Sequence, residues 1–197
     1  MAILKKLTIK QLLKKNYSNS KVLQNLAYGA AKRKSDKLKN DLIKELNTHP
    51  VTKEIEQGPN GSSSLLGGKG NLFGFLGFTP SQHPVKIIRD SFEKYISIEK
   101  KPKLKKISDT VFQWEFPIRY PSAQEIYAVT PLTWSTQSWV KGVERGISNF
   151  THTVFTRSSK SRSGVALQAK EPQMTFTNFR ATPYVGAMLT NFRAKLK

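Results

Sequence analysis

The chain has 197 residues, no cysteine, and 33 Lys and Arg against 13 Asp and Glu, which gives a formal net charge of +20. The absence of cysteine excludes disulfides, thiolate zinc sites and cysteine nucleophiles, and an aromatic content of 10% is too high for a wholly disordered chain. No apolar run approaches the roughly 20 residues of a membrane span, and we expect no secretory signal, because the first residues lack its apolar segment. The net charge predicts an acidic partner: nucleic acid, a phospholipid surface or an acidic protein.

The positive charge lies at the two ends of the sequence. Residues 1–39 carry 11 Lys and Arg against one acid, and residues 145–197 carry nine against one. Residues 40–144 carry 13 against 11 and are therefore close to neutral. Basic ends on a neutral body favour arms or edges that contact partners, whereas a general nucleic-acid binder more often spreads its charge over one face. Any single lysine is equally well explained as solvated surface.

The first 19 residues are predicted to form a basic amphipathic arm. Residues 3–15 combine six apolar side chains with five lysines, and Thr8 can cap a short helix. Such a segment can lie on a membrane surface or dock into a groove of another protein, and we favour the protein groove. The candidate contact residues of this arm are Lys5, Lys6, Lys10, Leu12, Leu13, Lys14 and Lys15.

Residues 20–47 are predicted to form a long helix. Ser20 is a suitable N-cap, and Asn47 and Pro50 favour termination, with residues 51–57 adding a turn or two. Six apolar residues recur mostly at steps of three or four and define one stripe: Leu23, Leu26, Ala30, Leu38, Leu42 and Leu46. The basic residues predicted to fall largely off this stripe are Arg33, Lys34, Lys37 and Lys44.

Residues 58–80 contain seven glycines, which predicts a glycine-rich loop over residues 58–71. Gly70 follows Gly68-Lys69 where a phosphate-binding loop needs a hydroxyl residue, so we interpret the loop as a turn. Large apolar side chains occupy the end of the segment, and we expect them to pack into a core: Leu72, Phe73, Phe75, Leu76 and Phe78.

The middle of the chain is predicted to contain one helix followed by one strand. Pro84 suits the first position of a helix over residues 84–96. Apolar and polar residues alternate over residues 112–120, which predicts a half-buried strand. Pro117 cannot donate a ladder hydrogen bond, so it is expected at an edge or a bulge.

The last third of the chain is predicted to contain both helices and strands. Ser122 and Glu125 have the spacing of a capping box, and a further helix is predicted from Ser135 or Thr136. A last helix follows Pro183. Strands are predicted at residues 151–156, 164–168 and 173–177. The basic loop over residues 157–163 supplies three more contact candidates, Arg157, Lys160 and Arg162.

These elements predict an α+β fold with a long N-terminal helix, a small mostly antiparallel sheet packed by helices, and a basic N-terminal arm. The arm covers residues 1–19, and residues 20–197 are predicted to form a single domain. The arm, the edge at Pro117 and the basic C-terminal region would offer separate docking surfaces.

No pattern in the sequence predicts catalysis or cofactor binding. The three histidines, His49, His83 and His152, are scattered and form no metal-binding motif. The nucleophile elbow and the dinucleotide-binding fingerprint do not occur, nor do the patterns of the common nucleic-acid-binding modules. We therefore expect a protein that is not an enzyme and has no cofactor and no metal site.

Three short motifs occur in order along the chain: KGNL at residues 69–72, GVERG at 142–146, and ATPYV at 181–185, which runs into Phe192-Arg193. They resemble the G-N-L, V-E-x-G and final P-F-[LI]-x-x-A motifs of the tail-completion (minor tail component) proteins of long-tailed bacteriophages. The long charged helix before the first motif also fits that family. The second motif is predicted to be helical here, whereas the family has a strand or the end of one.

The resemblance implies a structural virion protein that forms a ring at the head–tail junction, or neck, and completes or joins the tail. Such subunits form cyclic homo-oligomers through head-to-tail contacts. The implied partners are copies of the chain itself and portal, adaptor, and tail-tube or terminator proteins, with contact to genomic DNA as a further possibility. The implied localisation is the neck or tail of the virion, after assembly in the host cytoplasm.

The composition is also compatible with a second function, that of a nucleic-acid-associated protein. A nucleic-acid-associated basic protein, ribosomal or genome-packaging, would carry a similar net charge. It would bind DNA or RNA tightly and with a steep salt dependence.

Overall fold

The structure is a computed structural model that describes residues 20–62, 71–106, 112–132, 135–146, 152–154, 167–169 and 181–196. It has an α+β fold with a long N-terminal helix and small antiparallel sheets, which confirms the predicted fold class. The predicted arm over residues 1–19, most of the glycine-rich loop and the predicted strand at 173–177 lie outside the described residues.

Helix α1 spans Lys21–Thr48, which corresponds to a length of about 42 Å at the usual rise per residue. Ser20 caps it as predicted, because its Oγ accepts a hydrogen bond from the Leu23 amide at 3.4 Å. In the last turn, the Thr48 hydroxyl donates to the Lys44 carbonyl at 2.9 Å. The predicted long helix is therefore confirmed to within one residue at each end.

A separate helix, α2 (Pro50–Glu56), follows α1. Pro50 suits its first turn because the missing amide hydrogen would have no partner within the helix. His49 caps the helix, since its Nδ1 accepts a hydrogen bond from the Val51 amide at 3.3 Å. This helix confirms the extra turns predicted after residue 50, and a short 3₁₀ turn over Gly58–Asn60 follows it.

The chain divides into two compact units. Among the described residues, unit 1 comprises residues 20–38, 96–106 and 112–120, and unit 2 comprises the remainder. Helix α1 contributes its first part to unit 1 and its last part to unit 2.

Unit 1 combines the first part of α1 with two antiparallel strand pairs. The outer pair joins β1 (Ser97–Ile98) to β4 (Ile118–Arg119), and the inner pair joins β2 (Lys103–Lys106) to β3 (Phe112–Glu115). Two surface ion pairs accompany these ladders, Arg119 with Glu99 at 2.8 Å and Lys105 with Glu115 at 3.0 Å.

The strand predicted over residues 112–120 is interrupted at Pro117. Pro117 has no amide hydrogen, so the ladder cannot continue through it. Its carbonyl instead accepts a hydrogen bond from the Glu99 amide at 2.9 Å. Beside the interruption, the Phe116 ring contacts Tyr28 of α1 at a centroid distance of 5.7 Å, which packs the strands of unit 1 against the helix.

Unit 2 is mainly helical. Its described helices after α2 are α3 (Leu72–Phe75), α4 (Pro84–Tyr95), α5 (Ala123–Ala128), α6 (Trp139–Arg145) and α7 (Val185–Lys195). Its described strands form two antiparallel pairs, β5 (Pro131–Leu132) with β6 (Ser135–Ser138) and β7 (His152–Val154) with β8 (Leu167–Ala169). Helices α4 and α7 and strands β7 and β8 confirm elements predicted from the sequence, and α5 begins with the predicted capping box.

The core of unit 2 contains the apolar end of the glycine-rich segment. The five side chains predicted to pack there are at most 6% exposed: Leu72, Phe73, Phe75, Leu76 and Phe78. Leu46 of α1 and Ile88 and Phe92 of α4 are fully buried in the same unit. Burial of each such side chain stabilises the fold by about 1.5–3 kcal/mol.

The helix predicted from Ser135 or Thr136 begins later, at Trp139. Residues 135–138 are the strand β6 instead, because they pair with β5. Ser138 then caps the helix, since its Oγ accepts a hydrogen bond from the Lys141 amide at 3.2 Å. The helix ends at Gly146, whose φ of 80° favours glycine.

The described strands form four two-stranded sheets, whereas the sequence predicted one small sheet. Helix α5 separates β4 from β5 along the chain, and α6 separates β6 from β7. Within the described ranges, no helix is long and apolar enough to cross a membrane.

Candidate functional site

The ten contact residues predicted from the sequence all lie outside the described part of the chain. Seven of them are in the arm, namely Lys5, Lys6, Lys10, Leu12, Leu13, Lys14 and Lys15. The other three, Arg157, Lys160 and Arg162, are between β7 and β8. Their role in binding a partner stays a prediction.

The second and third sequence motifs are in direct contact in unit 2. The Thr182 amide donates a hydrogen bond to the Val143 carbonyl at 3.0 Å. The Gly186 amide, in the first turn of α7, donates to the Glu144 carboxylate at 2.6 Å. Val143 and Tyr184, one from each motif, are fully buried. The two segments are thus joined by hydrogen bonds, and each contributes a fully buried residue.

Glu144 is the polar centre of this contact. Its carboxylate also accepts a hydrogen bond from the Tyr127 hydroxyl of α5. Burial, together with the neighbouring carboxylate, raises the pKa of Tyr127 to about 12, so its hydroxyl keeps its proton near neutral pH. Gly186 permits the close approach, since a Cβ there would lie only 3.2 Å from a Glu144 oxygen. Glu144 therefore links α5, α6 and α7.

The first motif starts helix α3. The Asn71 Oδ1 accepts a hydrogen bond from the Gly74 amide at 2.6 Å, which caps the helix. Its Nδ2 donates to the Pro59 carbonyl at 2.7 Å. The next residue, Leu72, is fully buried. The asparagine therefore fixes both the start of α3 and the first residues of the glycine-rich loop.

A series of aromatic contacts connects the first motif to the third. Phe73 contacts Phe78 at a centroid distance of 5.6 Å, Phe78 meets Trp139 edge-on at 5.7 Å, and Trp139 contacts Tyr184 at 6.1 Å. Each aromatic pair contributes about 0.5–1.5 kcal/mol beyond the area that it buries. We call the packed residues of the three motifs and their aromatic link the motif core: Leu72, Phe73, Phe78, Trp139, Val143, Glu144 and Tyr184.

The motif core is attached to helix α2 through the Tyr184 side chain. The hydroxyls of Tyr184 and Thr52 share a buried hydrogen bond of 2.7 Å. Burial raises the pKa of Tyr184 well above its usual range, so the hydroxyl stays protonated. On the other side, the His49 ring lies 4.8 Å from the Tyr184 ring.

His49 combines three roles at this junction. It caps α2, its ring contacts the Tyr184 ring at an interplanar angle of 41°, and it lies close enough to the Pro183 carbonyl for that group to affect its pKa. Burial lowers the pKa of His49 from its ordinary value, although the Pro183 carbonyl and the nearby Glu45 carboxylate act in the opposite direction. The neutral imidazole is therefore the form that suits the folded protein.

A cavity lies beside this core in unit 2. Its volume is about 350 Å³, and its lining includes Ile55, Phe73, Val85, Lys86, Arg89 and Asp90. Arg89 donates to the Asn47 side chain and to the Glu56 carboxylate, each at 2.8 Å, which ties α4 to α1 and α2. The cavity is at the small end of the range for ligand pockets. Its acidic and basic groups balance, so its net charge selects neither anions nor cations.

The exposed face of α1 in unit 1 has an apolar end and a basic end. Val22 is 69% exposed and Leu26 is 67% exposed. Arg33 and Lys37 follow on the same face and are also exposed. At 100° per residue, these four positions fall within about 60° of one another around the helix axis. We call Val22, Leu26, Arg33 and Lys37 the α1 stripe.

The α1 stripe corrects the sequence-based assignment of helix faces. Leu26 was expected on one stripe with Leu42 and Leu46, yet those two leucines are buried and Leu26 is exposed. Each step of four residues advances about 40° around the axis, so the apolar pattern winds onto a different face along the helix. For the same reason Arg33 and Lys37, predicted to lie off the apolar stripe, share the face of Leu26.

The described residues with shifted pKa values take part in hydrogen bonds within the fold. No group of three or more His, Asp or Glu side chains in these residues is placed to hold a metal ion. The Tyr127 and Tyr184 hydroxyls, whose pKa values are raised, form hydrogen bonds that connect helices, and His49, whose pKa is lowered, caps α2. The lowered pKa of Glu125 arises from its hydrogen bonds to Ser122 in the capping box.

Sequence reasoning missed the roles of Val22, Glu144 and Arg89. Val22 was detectable, because it lies four residues before Leu26 and therefore on the same helix face. Glu144 and Arg89 act on partners that are distant in the sequence, and no local pattern indicates such a pairing.

Comparison of the chain with known protein families, with curated proteins and with solved structures found no significant match. The resemblance of the three motifs to phage tail-completion proteins therefore stays a prediction. The observations that bear on function are therefore the motif core and the α1 stripe.

Proposed function

We propose that the protein is a structural virion protein of a tailed bacteriophage that forms a ring at the head–tail junction and completes or joins the tail. It acts by assembly. The body closes a cyclic homo-oligomer, and the basic arm over residues 1–19 clasps a neighbouring subunit. Its further partners are portal, adaptor, and tail-tube or terminator proteins, and the basic ends can contact DNA that passes through the neck.

The observation that supports this proposal most strongly is the motif core. Asn71, Glu144 and Tyr184 come from motifs that are far apart in the sequence, yet each helps to fix the same part of unit 2. Their convergence is the arrangement expected if the three motifs are parts of one inherited fold.

The small strand pairs also suit a ring subunit. Within the described ranges, each strand pairs with a single neighbour. Short strand pairs of this kind can be extended by a strand of an adjacent subunit. Head-to-tail addition of this kind closes a ring when the rotation between subunits is constant and divides the circle.

Removal of residues 1–19 tests the proposed clasp. The truncated protein is expected to unfold at the same urea midpoint as the full chain, because the motif core lies wholly in unit 2. In a phage that lacks the native gene, it should fail to restore infectivity. A full-length variant with Lys5, Lys6 and Lys10 changed to Arg is the matched control and should restore it. Full infectivity of the truncated protein would contradict the clasp.

The location of the protein is tested separately by gold-labelled antibodies on purified particles. Label at the junction between head and tail is the expected result. Label confined to the capsid interior, or no incorporation into particles, would contradict a neck function even if the arm proved essential.

A nucleic-acid-associated function is the second candidate, and exposed lysines of unit 1 favour it. Lys100, Lys101, Lys103 and Lys105 are all exposed in and just before β2. Glu115 offsets one of these charges through its ion pair with Lys105. Filter binding to DNA and RNA at two salt concentrations separates the two candidates. Tight binding at physiological salt that weakens steeply with added salt supports the second candidate, and weak binding excludes it.

A further inference from the structure

We infer that the α1 stripe is a docking surface for an amphipathic helix of another protein, one with apolar side chains at one end and carboxylates at the other. The inference rests on the exposure and the charge of α1 in unit 1. It does not require the neck function, since a helix of this kind can dock in any assembly.

The apolar end of the α1 stripe is exposed to solvent. Val22 and Leu26 are 69% and 67% exposed, and Leu23, which lies beside the stripe, is 41% exposed. Single exposed apolar residues are common, whereas aliphatic side chains that are exposed next to one another can supply the apolar part of a contact surface. Farther along α1, Leu42 and Leu46 are buried, so the helix does bury its leucines where a partner surface exists.

The basic end supplies the specificity. Between residues 21 and 38, α1 carries Lys21, Lys32, Arg33, Lys34 and Lys37 against the single acid Asp36. Arg33 and Lys37 are one helical turn apart on the exposed face, so two carboxylates with the same spacing can meet them. The distance from Val22 to Lys37 along the axis is about 22 Å, which corresponds to roughly four turns of a partner helix.

Charge complementarity favours an acidic helix over the other occupants. A second copy in parallel alignment would place cations against cations, and an antiparallel copy would place cations against Val22 and Leu26. The arm over residues 1–19 carries five lysines among residues 3–15 and repels the basic end. Helices that lie on membranes keep one apolar stripe along their length, whereas this stripe changes from apolar to basic. Nucleic acid would leave the aliphatic end without a partner.

Site-specific photo-crosslinking identifies the occupant. A photoreactive phenylalanine replaces Val22 or Leu26 in the full-length protein, expressed in the cells that naturally make it, and the cross-linked peptide is sequenced. The matched control carries the same group at Tyr95, which is 47% exposed in unit 2. The expected product at Val22 and Leu26, absent from the control, is a segment of another protein with apolar residues followed by Asp or Glu.

The charge-reversal variant Arg33→Glu with Lys37→Glu tests the basic end. Both residues are exposed, so the fold should be kept and the circular dichroism spectrum unchanged. The cross-link yield at Val22 should drop by roughly tenfold or more, because like charges now oppose each other. Cross-links to residues 1–19, to a second copy, to lipid or to nucleic acid would overturn the inference. An absence of cross-links, or an unchanged yield in the reversed variant, would also overturn it.

Discussion

The hydrogen bond between Tyr184 and Thr52 is the contact that fixes the motif core to helix α2, and its removal gives the sharpest test of that arrangement. Tyr184→Phe deletes one hydroxyl and keeps the ring that contacts Trp139 and His49. Thr52→Val deletes the other hydroxyl and keeps the shape of the side chain. The double variant removes both partners from the same buried site.

The burial of this pair sets the expected change in the free energy of unfolding for each variant. The two oxygens are 2.7 Å apart, and both residues are fully buried. Each single variant leaves one buried hydroxyl without its partner, so each should lower the free energy of unfolding by about 1–3 kcal/mol. The double variant leaves no orphaned group, so its loss should be well below the sum of the two single losses, by about 1–2 kcal/mol.

Urea unfolding followed by tryptophan fluorescence measures these losses. The m-value should stay constant across the set, since the surface exposed on unfolding hardly changes. Thr190→Val is the matched control, because the Thr190 hydroxyl is exposed and bonds only within its own helix, and its effect should stay within about 0.5 kcal/mol. Additive losses in the double variant would refute the reasoning, since they would mean that the two hydroxyls do not interact.

Three further predictions concern stability. Leu46→Ala should lower the free energy of unfolding by about 2–5 kcal/mol in urea titrations, whereas Leu26→Ala should change it by less than about 0.5 kcal/mol, because only Leu46 is buried. Glu144→Gln should cost about 1–3 kcal/mol, since a charged acceptor for Tyr127 and the α7 amide is lost, and Glu93→Gln is a control in which no comparable loss is expected. His49 makes stability depend on pH: its pKa is lowered in the fold, so its contribution is fully present above pH 6.5 and is lost as the pH falls below that value.

The outcomes that would contradict these three predictions are distinct. Equal losses for Leu46→Ala and Leu26→Ala would mean that the two leucines share one environment. An unchanged unfolding midpoint in Glu144→Gln would mean that the carboxylate does not hold α7. The pH effect is judged against His49→Asn, which can still cap α2 but does not titrate. If both proteins lose stability equally between pH 7.5 and pH 5.5, the effect belongs to other groups.

Local signals accounted for much of the fold. Ser20 and the Ser122–Glu125 capping box marked helix starts because a cap satisfies backbone groups within a few residues. The apolar end of the glycine-rich segment was predicted to pack because five large apolar side chains are too costly to leave in water. Pro117 was predicted at an edge or a bulge because proline lacks the donor, and the strand predicted over residues 112–120 is interrupted there.

The remaining features depend on contacts between distant segments. Residues 135–138 have no strong local preference, and their strand forms because β5 offers a ladder. The position of Glu144 between Tyr127 and Gly186 requires the fold to be in place first. The exposure of Leu26 depends on which neighbour covers each part of a long helix, a property that spacing alone does not contain.

The oligomeric state of the purified protein tests the central proposal most directly. Native mass spectrometry of the full-length chain, combined with class averages from electron microscopy, reads both the number of subunits and the symmetry. The account predicts a closed ring of identical subunits with cyclic symmetry. A monomer that is isolated bound to RNA would contradict it.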